Sequence, residues 1–213
     1  MLFDDLLVAR AKAAGLTVDS TQRAALRAYF ELLKHWNKRI NLTALPLDSP
    51  TNATIDRLFL EPILAAMLLG DRHTNWFDLG SGGGSPAIPM KTCWPRATLT
   101  MVESKSRKGA FLREAIREMA IPNTSVANSR FEVLSREART RGVADLVTVR
   151  AVKPNAVLHA AAFSLLRVGG TLAMFSSSEQ PSWNSPAPAL FSRAQAKQLM
   201  GTSCLVVGEK LSQ

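Results

Sequence analysis

The residues best suited to bind a ligand lie in a glycine-rich stretch at 75–86, Asn-Trp-Phe-Asp-Leu-Gly-Ser-Gly-Gly-Gly-Ser-Pro. Glycine permits positive φ and lets a ligand approach the main chain without a Cβ in the way. Glu103 follows the loop by about 20 residues, the spacing expected of a carboxylate that binds the two hydroxyls of a ribose. The pattern therefore predicts a site for a ribose-containing ligand.

Two strands must position this loop and this acid. Trp76 and Phe77 form an apolar run that predicts the end of a buried strand, and residues 97–103 predict a second strand that ends at Glu103. A strand that leads into a glycine loop and then into a helix holds nucleotide-like ligands in doubly wound α/β folds. We therefore expect the loop and the acid at one edge of a sheet.

The glycine spacing discriminates between ligands. A dinucleotide fingerprint, G-x-G-x-x-G, has its third glycine where this chain has Ser85. The pattern Asp78-x-Gly80-x-Gly82-x-Gly84 instead resembles motif I of class I S-adenosylmethionine methyltransferases, whose loop cradles the methionine part and the sugar. A nicotinamide-dinucleotide enzyme and a glycine-rich turn without a ligand remain alternatives.

The first seventy residues are predicted to be helical. Helices are expected at 4–14, from a cap at Asp19 or Ser20, and at 54–69. The second helix has one apolar face at helical spacing, formed by Leu26, Phe30, Leu33 and Trp36. We expect residues 1–70 to pack as a helical cap on a nucleotide-binding domain of residues 71–213.

Strands and helices alternate after the loop. Strands are predicted at 124–127, 145–149, 171–175 and 205–207, and helices from Ser104 or Ser106 and at 156–166. The Ser/Pro-rich segment 176–188 predicts a loop. Such alternation implies an α/β fold with a mostly parallel sheet covered on both faces.

The charge balance suggests a polyanionic partner. The 213 residues contain 26 Lys and Arg against 17 Asp and Glu, a net charge of +9. An excess of this size is typical of nucleic-acid-binding proteins, although it can also serve solubility. Cys93 and Cys204 are far apart and suggest neither a disulfide framework nor a zinc site. An acidic start and no apolar run of membrane-spanning length predict a cytoplasmic protein without a membrane partner.

Several segments together resemble the RsmG/GidB family of 16S ribosomal RNA methyltransferases. They are His35-Trp-Asn-Lys-Arg-Ile-Asn-Leu-Thr43, the glycine loop with Pro86-x-Ile88-Pro89, Val102-Glu103-Ser104, Phe111-Leu-Arg113, Arg130-x-Glu132 and Val149-Arg150-Ala-Val152. The resemblance implies a class I methyltransferase fold with a seven-stranded sheet and an N-terminal helical part. It also implies S-adenosylmethionine as donor, the position-seven nitrogen of a guanine as acceptor, and 16S RNA or the small subunit as partner. We expect no metal and a monomer.

The resemblance assigns roles to residues of this chain. Arg150 and Asn41 lie in two of the matching segments, and we predict that both are catalytic residues that face the same guanine if the helical part lies over the cofactor pocket. The cofactor contacts that the resemblance and the loop pattern predict are Asp78, Gly80, Gly82, Ser85, Glu103, Phe131, Glu132 and Arg150. The predicted RNA contacts are Lys38, Arg39, Arg107, Lys108 and Arg130. Arg150 could hold a guanine edge or a phosphate, or it could form a salt bridge at its strand end.

The missing motifs agree with a ring nitrogen as acceptor. The seven-nitrogen of guanine has a lone pair and no proton, so no general base is needed. The sequence places none of His35, His73 and His159 in a recognisable catalytic motif with an acid or a nucleophile. An exocyclic-amine enzyme would show an Asn/Asp-Pro-Pro-aromatic motif, which is absent, and neither cysteine follows a proline as in pyrimidine carbon-five enzymes.

The chain departs from the family pattern at three places. Ser85 stands where the family usually has a large apolar residue, Ala87 stands where it has glycine, and Ser176-Ser-Ser178 replaces Lys-Gly. Two alternative functions remain open: a methyltransferase of a small metabolite, and a non-catalytic RNA-binding protein on the same fold.

Overall fold

The centre of the molecule is a seven-stranded, mostly parallel sheet with strand order β3-β2-β1-β4-β5-β7-β6. The computed structural model describes residues 2–176, 190–192 and 194–212. The strands are β1 (Asn75–Leu79), β2 (Thr98–Val102), β3 (Thr124–Ala127), β4 (Ala144–Arg150), β5 (Leu166–Ser176), β6 (Gln195–Gln198) and β7 (Cys204–Glu209). Strands β1 to β5 pair in parallel, and β7 runs antiparallel to both β5 and β6. The predicted fold class is therefore confirmed.

Strands β1 and β4 lie side by side at the point where the strand order reverses. Leu79 pairs with Val102 of β2 on one side and with Val149 of β4 on the other. The three strands thus end at one edge of the sheet, and the chain leaves this edge at Gly80, Glu103 and Arg150. In open α/β sheets ligands bind in the crevice at this edge and at this switch point.

Eight α-helices are present in the described part of the chain. They are α1 (Phe3–Ala13), α2 (Ser20–Asn37), α3 (Asn52–Ile55), α4 (Glu61–Leu69), α5 (Ala87–Cys93), α6 (Ser106–Glu118), α7 (Phe131–Leu134) and α8 (Ala156–Leu165). Asp19 caps α2, since its side chain accepts from the amide of Gln22 at 2.8 Å. The predicted helix starts at Asp19 or Ser20 and at Ser106 are confirmed.

The helix predicted over 54–69 is interrupted. A π-helical turn, Asp56–Leu60, separates α3 from α4. The apolar pattern of this segment does not indicate such an interruption. Helix α7 and strand β6 were also not predicted, because both are only four residues long and β6 is largely polar and exposed. Most of the loop predicted at 176–188 lies outside the described residues.

Two apolar clusters cover the two faces of the sheet. Trp76 packs into a cluster with the N-terminal helices, α5 and α6, whereas Phe77 packs on the opposite face with α8. In the first cluster the rings of Phe3 and Phe30 stack at 4.4 Å, and Phe59 packs edge-on against Phe3. Leu26, Phe30 and Leu33, the predicted apolar face of α2, are all buried. The N-terminal helices therefore share one core with the sheet.

None of the helices within the described ranges is long and apolar enough to cross a membrane. Those ranges also contain no group of three or more His, Cys, Asp and Glu side chains that could hold a metal ion.

Candidate active site

A cleft of about 790 Å³ opens where β1, β2 and β4 end. Its floor is the glycine loop after β1, and its walls come from the ends of β2, β4 and β5 and from the N-terminal helical part. The lining residues from the N-terminal part are Tyr29, Leu33, Leu42, Thr43, Ala44, Leu45, Arg57 and Leu58. The remaining ones are Gly80, Ser81, Gly82, Gly83, Ser85, Glu103, Ser104, Lys105, Lys108, Arg150, Ala151, Val152, Phe175 and Ser176.

The glycine loop requires glycine at two positions for steric reasons. Gly80 has φ +75° and Gly84 has φ +89°, a conformation that L-residues rarely adopt. A Cβ at Gly80 would lie 2.7 Å from the Val152 side chain, and one at Gly84 would lie 2.6 Å from Ile88. The loop is therefore packed as closely as bare backbone allows, and it exposes main-chain atoms to the cleft.

Glu103 binds the loop from the end of β2. Its Oε2 accepts from the amide of Gly82 at 2.9 Å, and its Oε1 accepts from the amide of Lys105 at 2.7 Å. The residue is 6% exposed and lines the cleft. Each carboxylate oxygen has a second lone pair, so the group can still accept hydrogen bonds from two ligand hydroxyls.

Asp78 lies beneath the loop and outside the lining of the cleft. Its Oδ1 accepts from the Thr148 hydroxyl at 2.6 Å, which in turn accepts from Trp76 Nε1 at 2.8 Å. Its Oδ2 is buried without a partner among the described residues. Burial raises the pKa of Asp78 to about 6. Asp78 is therefore placed to support the loop from within the sheet.

Arg150 is bound to the N-terminal part of the chain. Its guanidinium forms an ion pair with Glu61 at the start of α4 and donates to the main-chain carbonyl of Arg57. It also lies over the Phe175 ring, 5.0 Å from the centroid. Burial lowers the pKa of Arg150, and the charge of Glu61 opposes that effect. Of the alternatives open for Arg150 in the sequence, the salt bridge at its strand end is present, with Glu61 as the partner. Arg150 also lines the cleft.

Two hydrogen bonds hold the π-helical turn against the sheet edge, one from the end of β4 and one from the glycine loop. The Arg150 guanidinium donates to the main-chain carbonyl of Arg57, and the Ser85 hydroxyl donates to the main-chain carbonyl of Leu58 at 2.9 Å. Ser85, where this chain departs from the family pattern, therefore fixes the turn against the glycine loop. Only the tertiary contacts reveal this role, because Ser85 and Leu58 are 27 residues apart.

The sequence pattern does not predict that Tyr29 contacts the glycine loop. Its hydroxyl donates to the carbonyl of Gly83 at 2.6 Å, which ties α2 to the glycine loop. Complete burial raises the pKa of Tyr29, so the donor stays protonated at neutral pH. Trp36 makes a similar tie to α6, since its Nε1 donates to Glu114 at 2.9 Å. The available signal was the position of Tyr29 beside Phe30 and four residues before Leu33.

The segment His35–Thr43 contributes through Asn37 rather than Asn41. The Asn37 side-chain oxygen accepts from the amides of Leu42 and Thr43 at 2.8 and 3.0 Å, and its nitrogen donates to the Thr43 carbonyl at 3.1 Å. Leu42 and Thr43 line the cleft, whereas Asn41 is exposed and outside the lining.

The remaining predicted residues divide between the cleft and its surroundings. Gly80, Gly82, Ser85, Glu103, Lys108 and Arg150 line it. Phe131 and Glu132 begin α7, which follows β3 at the same edge, outside the lining. Lys38, Arg39, Arg107 and Arg130 are exposed around the molecule. None of the five predicted RNA contacts forms an ion pair with an acid in the described ranges.

Comparison with solved structures supports the assignment of the fold. A putative methyltransferase, yhhF from Escherichia coli, superposes with a TM-score of 0.58 at 15% identity, covering 79% of this chain and 92% of that one. A SAM-dependent methyltransferase from Aquifex aeolicus superposes with a TM-score of 0.59 at 13% identity, covering 78% and 95%. The sheet order, with the glycine loop after β1 and the acid after β2, is that of the class I methyltransferase fold.

The sequence comparisons narrow this class to one family. The model of the GidB family, described as rRNA small subunit methyltransferase G, matches residues 22–205. The chain belongs to this family, which confirms the resemblance found in the sequence. Ribosomal RNA small subunit methyltransferase G of Roseiflexus sp. (strain RS-1) is 35% identical over 166 residues, 78% of this chain and 70% of that protein. Its counterpart in Xanthomonas axonopodis pv. citri is 37% identical over 158 residues, 73% and 69%.

Proposed function

We propose that this protein transfers a methyl group from S-adenosylmethionine to the position-seven nitrogen of a guanine in 16S ribosomal RNA of the small subunit. The observation that carries the proposal is the joint placement of the glycine loop and Glu103 in one cleft, in a chain of this family. Because that substrate is ribosomal, we infer that the protein acts in the cytoplasm.

The residues of the cleft fit the proposed cofactor. Gly80, Gly82 and Gly83 line the cleft with main chain only, so no side chain at these positions stands between the loop and a ligand. Glu103 offers carboxylate lone pairs to ribose hydroxyls, and Asp78 supports the loop from below. Phe131 and Glu132, at the carboxyl end of β3, would bound the adenine. When bound, S-adenosylmethionine supplies an electrophilic methyl group on a sulfonium.

The chain would promote the transfer by positioning. An in-line displacement by a ring nitrogen without a proton needs alignment and a dry site, and alignment alone can supply much of the acceleration. Arg150 is held by Glu61 and by the Arg57 carbonyl, so it forms a fixed wall of the cleft. We propose that Arg150 and Asn41 bound the acceptor guanine from the sheet and from the N-terminal part.

The basic surface would bind the RNA backbone. Lys38 and Arg39 follow α2, Arg107 and Lys108 lie in the first turn of α6, and Arg130 precedes α7. A cation without an acidic partner can neutralise a phosphate and release counterions, so RNA affinity should fall steeply with salt. We propose that residues 1–70 act as a cover on the methyltransferase domain of residues 71–213, because Tyr29 and Glu61 join the two parts at the cleft.

The decisive experiment maps methylated nucleosides by mass spectrometry in 16S RNA from cells with and without the gene. Loss of one 7-methylguanosine in the deletion, restored by the wild-type gene, is the expected result. Calorimetry with S-adenosylmethionine separates the alternatives, because a non-catalytic RNA-binding protein would not bind it. An unchanged 16S modification pattern, with intact cofactor binding, would favour a small-metabolite substrate.

A further inference from the structure

The π-helical turn Asp56–Leu60 is fixed on several sides. Asp56 accepts two hydrogen bonds from Arg10 of α1, at 2.6 and 2.9 Å. The main-chain carbonyls of the next two residues, Arg57 and Leu58, accept hydrogen bonds from Arg150 and Ser85. Leu58, Phe59 and Leu60 are buried in the core. The backbone of this turn is therefore held in place at the rim of the cleft.

Arg57 differs from Asp56 in this turn, because its side chain has no partner among the described residues. It is exposed, it lines the cleft, and it forms no ion pair or side-chain hydrogen bond with a described residue. Because the backbone of this turn is already fixed, only the side chain of Arg57 has to be ordered when it binds an anion. The turn thus presents a guanidinium that is ready to bind a ligand.

The charges around the cleft favour an anion at this position. The lining contains four cations, Arg57, Lys105, Lys108 and Arg150, and one acid, Glu103. Glu61 neutralises Arg150, and the carboxylate of Glu103 is turned to two main-chain amides. Arg57, Lys105 and Lys108 remain as cations without acidic partners in the described part of the chain.

We propose that Arg57 binds a phosphate of the RNA strand next to the target nucleotide. This inference rests on the proposed function, since it assigns one contact to the same substrate. A guanidinium at the open rim fits a phosphate by two parallel hydrogen bonds, a geometry that lysine cannot reproduce. An RNA strand that crosses the cleft would thus be held on the N-terminal side by Arg57 and on the α6 side by Lys105 and Lys108.

The test compares Arg57→Gln with Arg57→Lys and with Arg141→Gln. Arg141 is a matched control, because it is also exposed, has no acidic partner among the described residues, and precedes β4 at the opposite edge of the sheet. Affinity for unmethylated 16S RNA is measured across a salt series, and cofactor affinity is measured separately by calorimetry. We expect Arg57→Gln to weaken RNA binding by roughly tenfold or more. Its salt slope should fall by about 0.7 to 0.9.

Arg57→Lys should keep the salt slope and lose part of the affinity, whereas Arg141→Gln should match the wild type. An Arg57→Gln protein with wild-type RNA affinity and slope would overturn the proposal. Weaker cofactor binding with unchanged RNA binding would overturn it too, because Arg57 would then contact the carboxylate of the cofactor. A wild-type protein that binds RNA with a steep salt slope and does not methylate it would refute the proposed function alone.

Discussion

Arg150 at the end of β4 forms a buried ion pair with Glu61 at the start of α4, 89 residues earlier in the chain. The two side chains are 14% and 3% exposed. The same guanidinium donates a hydrogen bond to the main-chain carbonyl of Arg57 in the π-helical turn. One arginine at the end of β4 thus connects the cleft to the N-terminal helices.

The first prediction concerns the strength of this connection. Glu61→Ala leaves a buried guanidinium without its partner and should lower the free energy of unfolding by about 3–5 kcal/mol. Arg150→Ala should cost a similar amount, and the double variant should cost clearly less than the sum of the two. Urea unfolding of the four proteins checks this cycle. Strictly additive losses would show that the two side chains are not coupled.

The proposed contact of Arg150 with the acceptor guanine is tested by a separate measurement. Arg150→Ala and Glu61→Gln are both assayed at a temperature where thermal melting shows that Arg150→Ala is folded. The methylation rate per folded molecule of Arg150→Ala should be well below that of Glu61→Gln. Glu61→Gln keeps the arginine and a hydrogen-bond acceptor. Activity that tracks only the folded fraction in both variants would make Arg150 a structural residue.

The second prediction concerns Glu103. Glu103→Ala removes the acceptor proposed for the ribose hydroxyls and should weaken S-adenosylmethionine binding by about 1–3 kcal/mol. The salt dependence of RNA binding should not change, because Glu103 faces the loop rather than the basic rim. Calorimetry provides the measurement, and Glu118→Ala on the exposed side of α6 serves as the control. An unchanged dissociation constant would remove Glu103 from the cofactor site.

The third prediction concerns Asp78 and pH. Burial raises the pKa of Asp78 from 3.8 to about 6 in the folded protein. An acid with a raised folded pKa contributes most to stability below its unfolded pKa, and that contribution disappears as pH rises through the folded value. The wild type should therefore lose roughly 3 kcal/mol from this group between about pH 4 and pH 6.

Asp78→Asn isolates this effect. Asparagine can still accept from the Thr148 hydroxyl, and it cannot titrate. The difference in unfolding free energy between wild type and Asp78→Asn should change across this window and stay constant above it. A difference in unfolding free energy that stays constant from pH 4 to pH 7 would contradict a raised pKa of the buried Asp78 carboxyl.

The fourth prediction separates two asparagines of one motif. Asn37→Ala removes three hydrogen bonds to residues 42 and 43 and should lower the free energy of unfolding by about 2 kcal/mol. Asn41→Ala should leave stability unchanged, because Asn41 is exposed, and should reduce methylation mildly. Thermal melting and a methylation assay of both variants check this. Full activity in a stable Asn41→Ala protein would place the acceptor guanine away from this residue.

The sequence by itself determined the sheet edge and the candidate site at its centre. The strand before the loop, the glycines and Glu103 are local patterns, and parallel strands that are neighbours in a sheet place their ends together. Gly80 and Glu103 were therefore predicted to meet, and they lie in one cleft. The N-cap at Asp19 and the apolar face of α2 also follow from short-range rules.

Tertiary structure alone decided how the N-terminal helices complete the cleft. The pairs Arg150 with Glu61 and Tyr29 with Gly83 join residues 89 and 54 positions apart. Which partner a buried polar group finds depends on how whole elements pack, and no local period encodes it. Two carbonyls of the π-helical turn, those of Arg57 and Leu58, likewise accept from side chains distant in sequence, Arg150 and Ser85. For that reason only the folded chain shows that Arg57 lines the cleft without an acidic partner among the described residues.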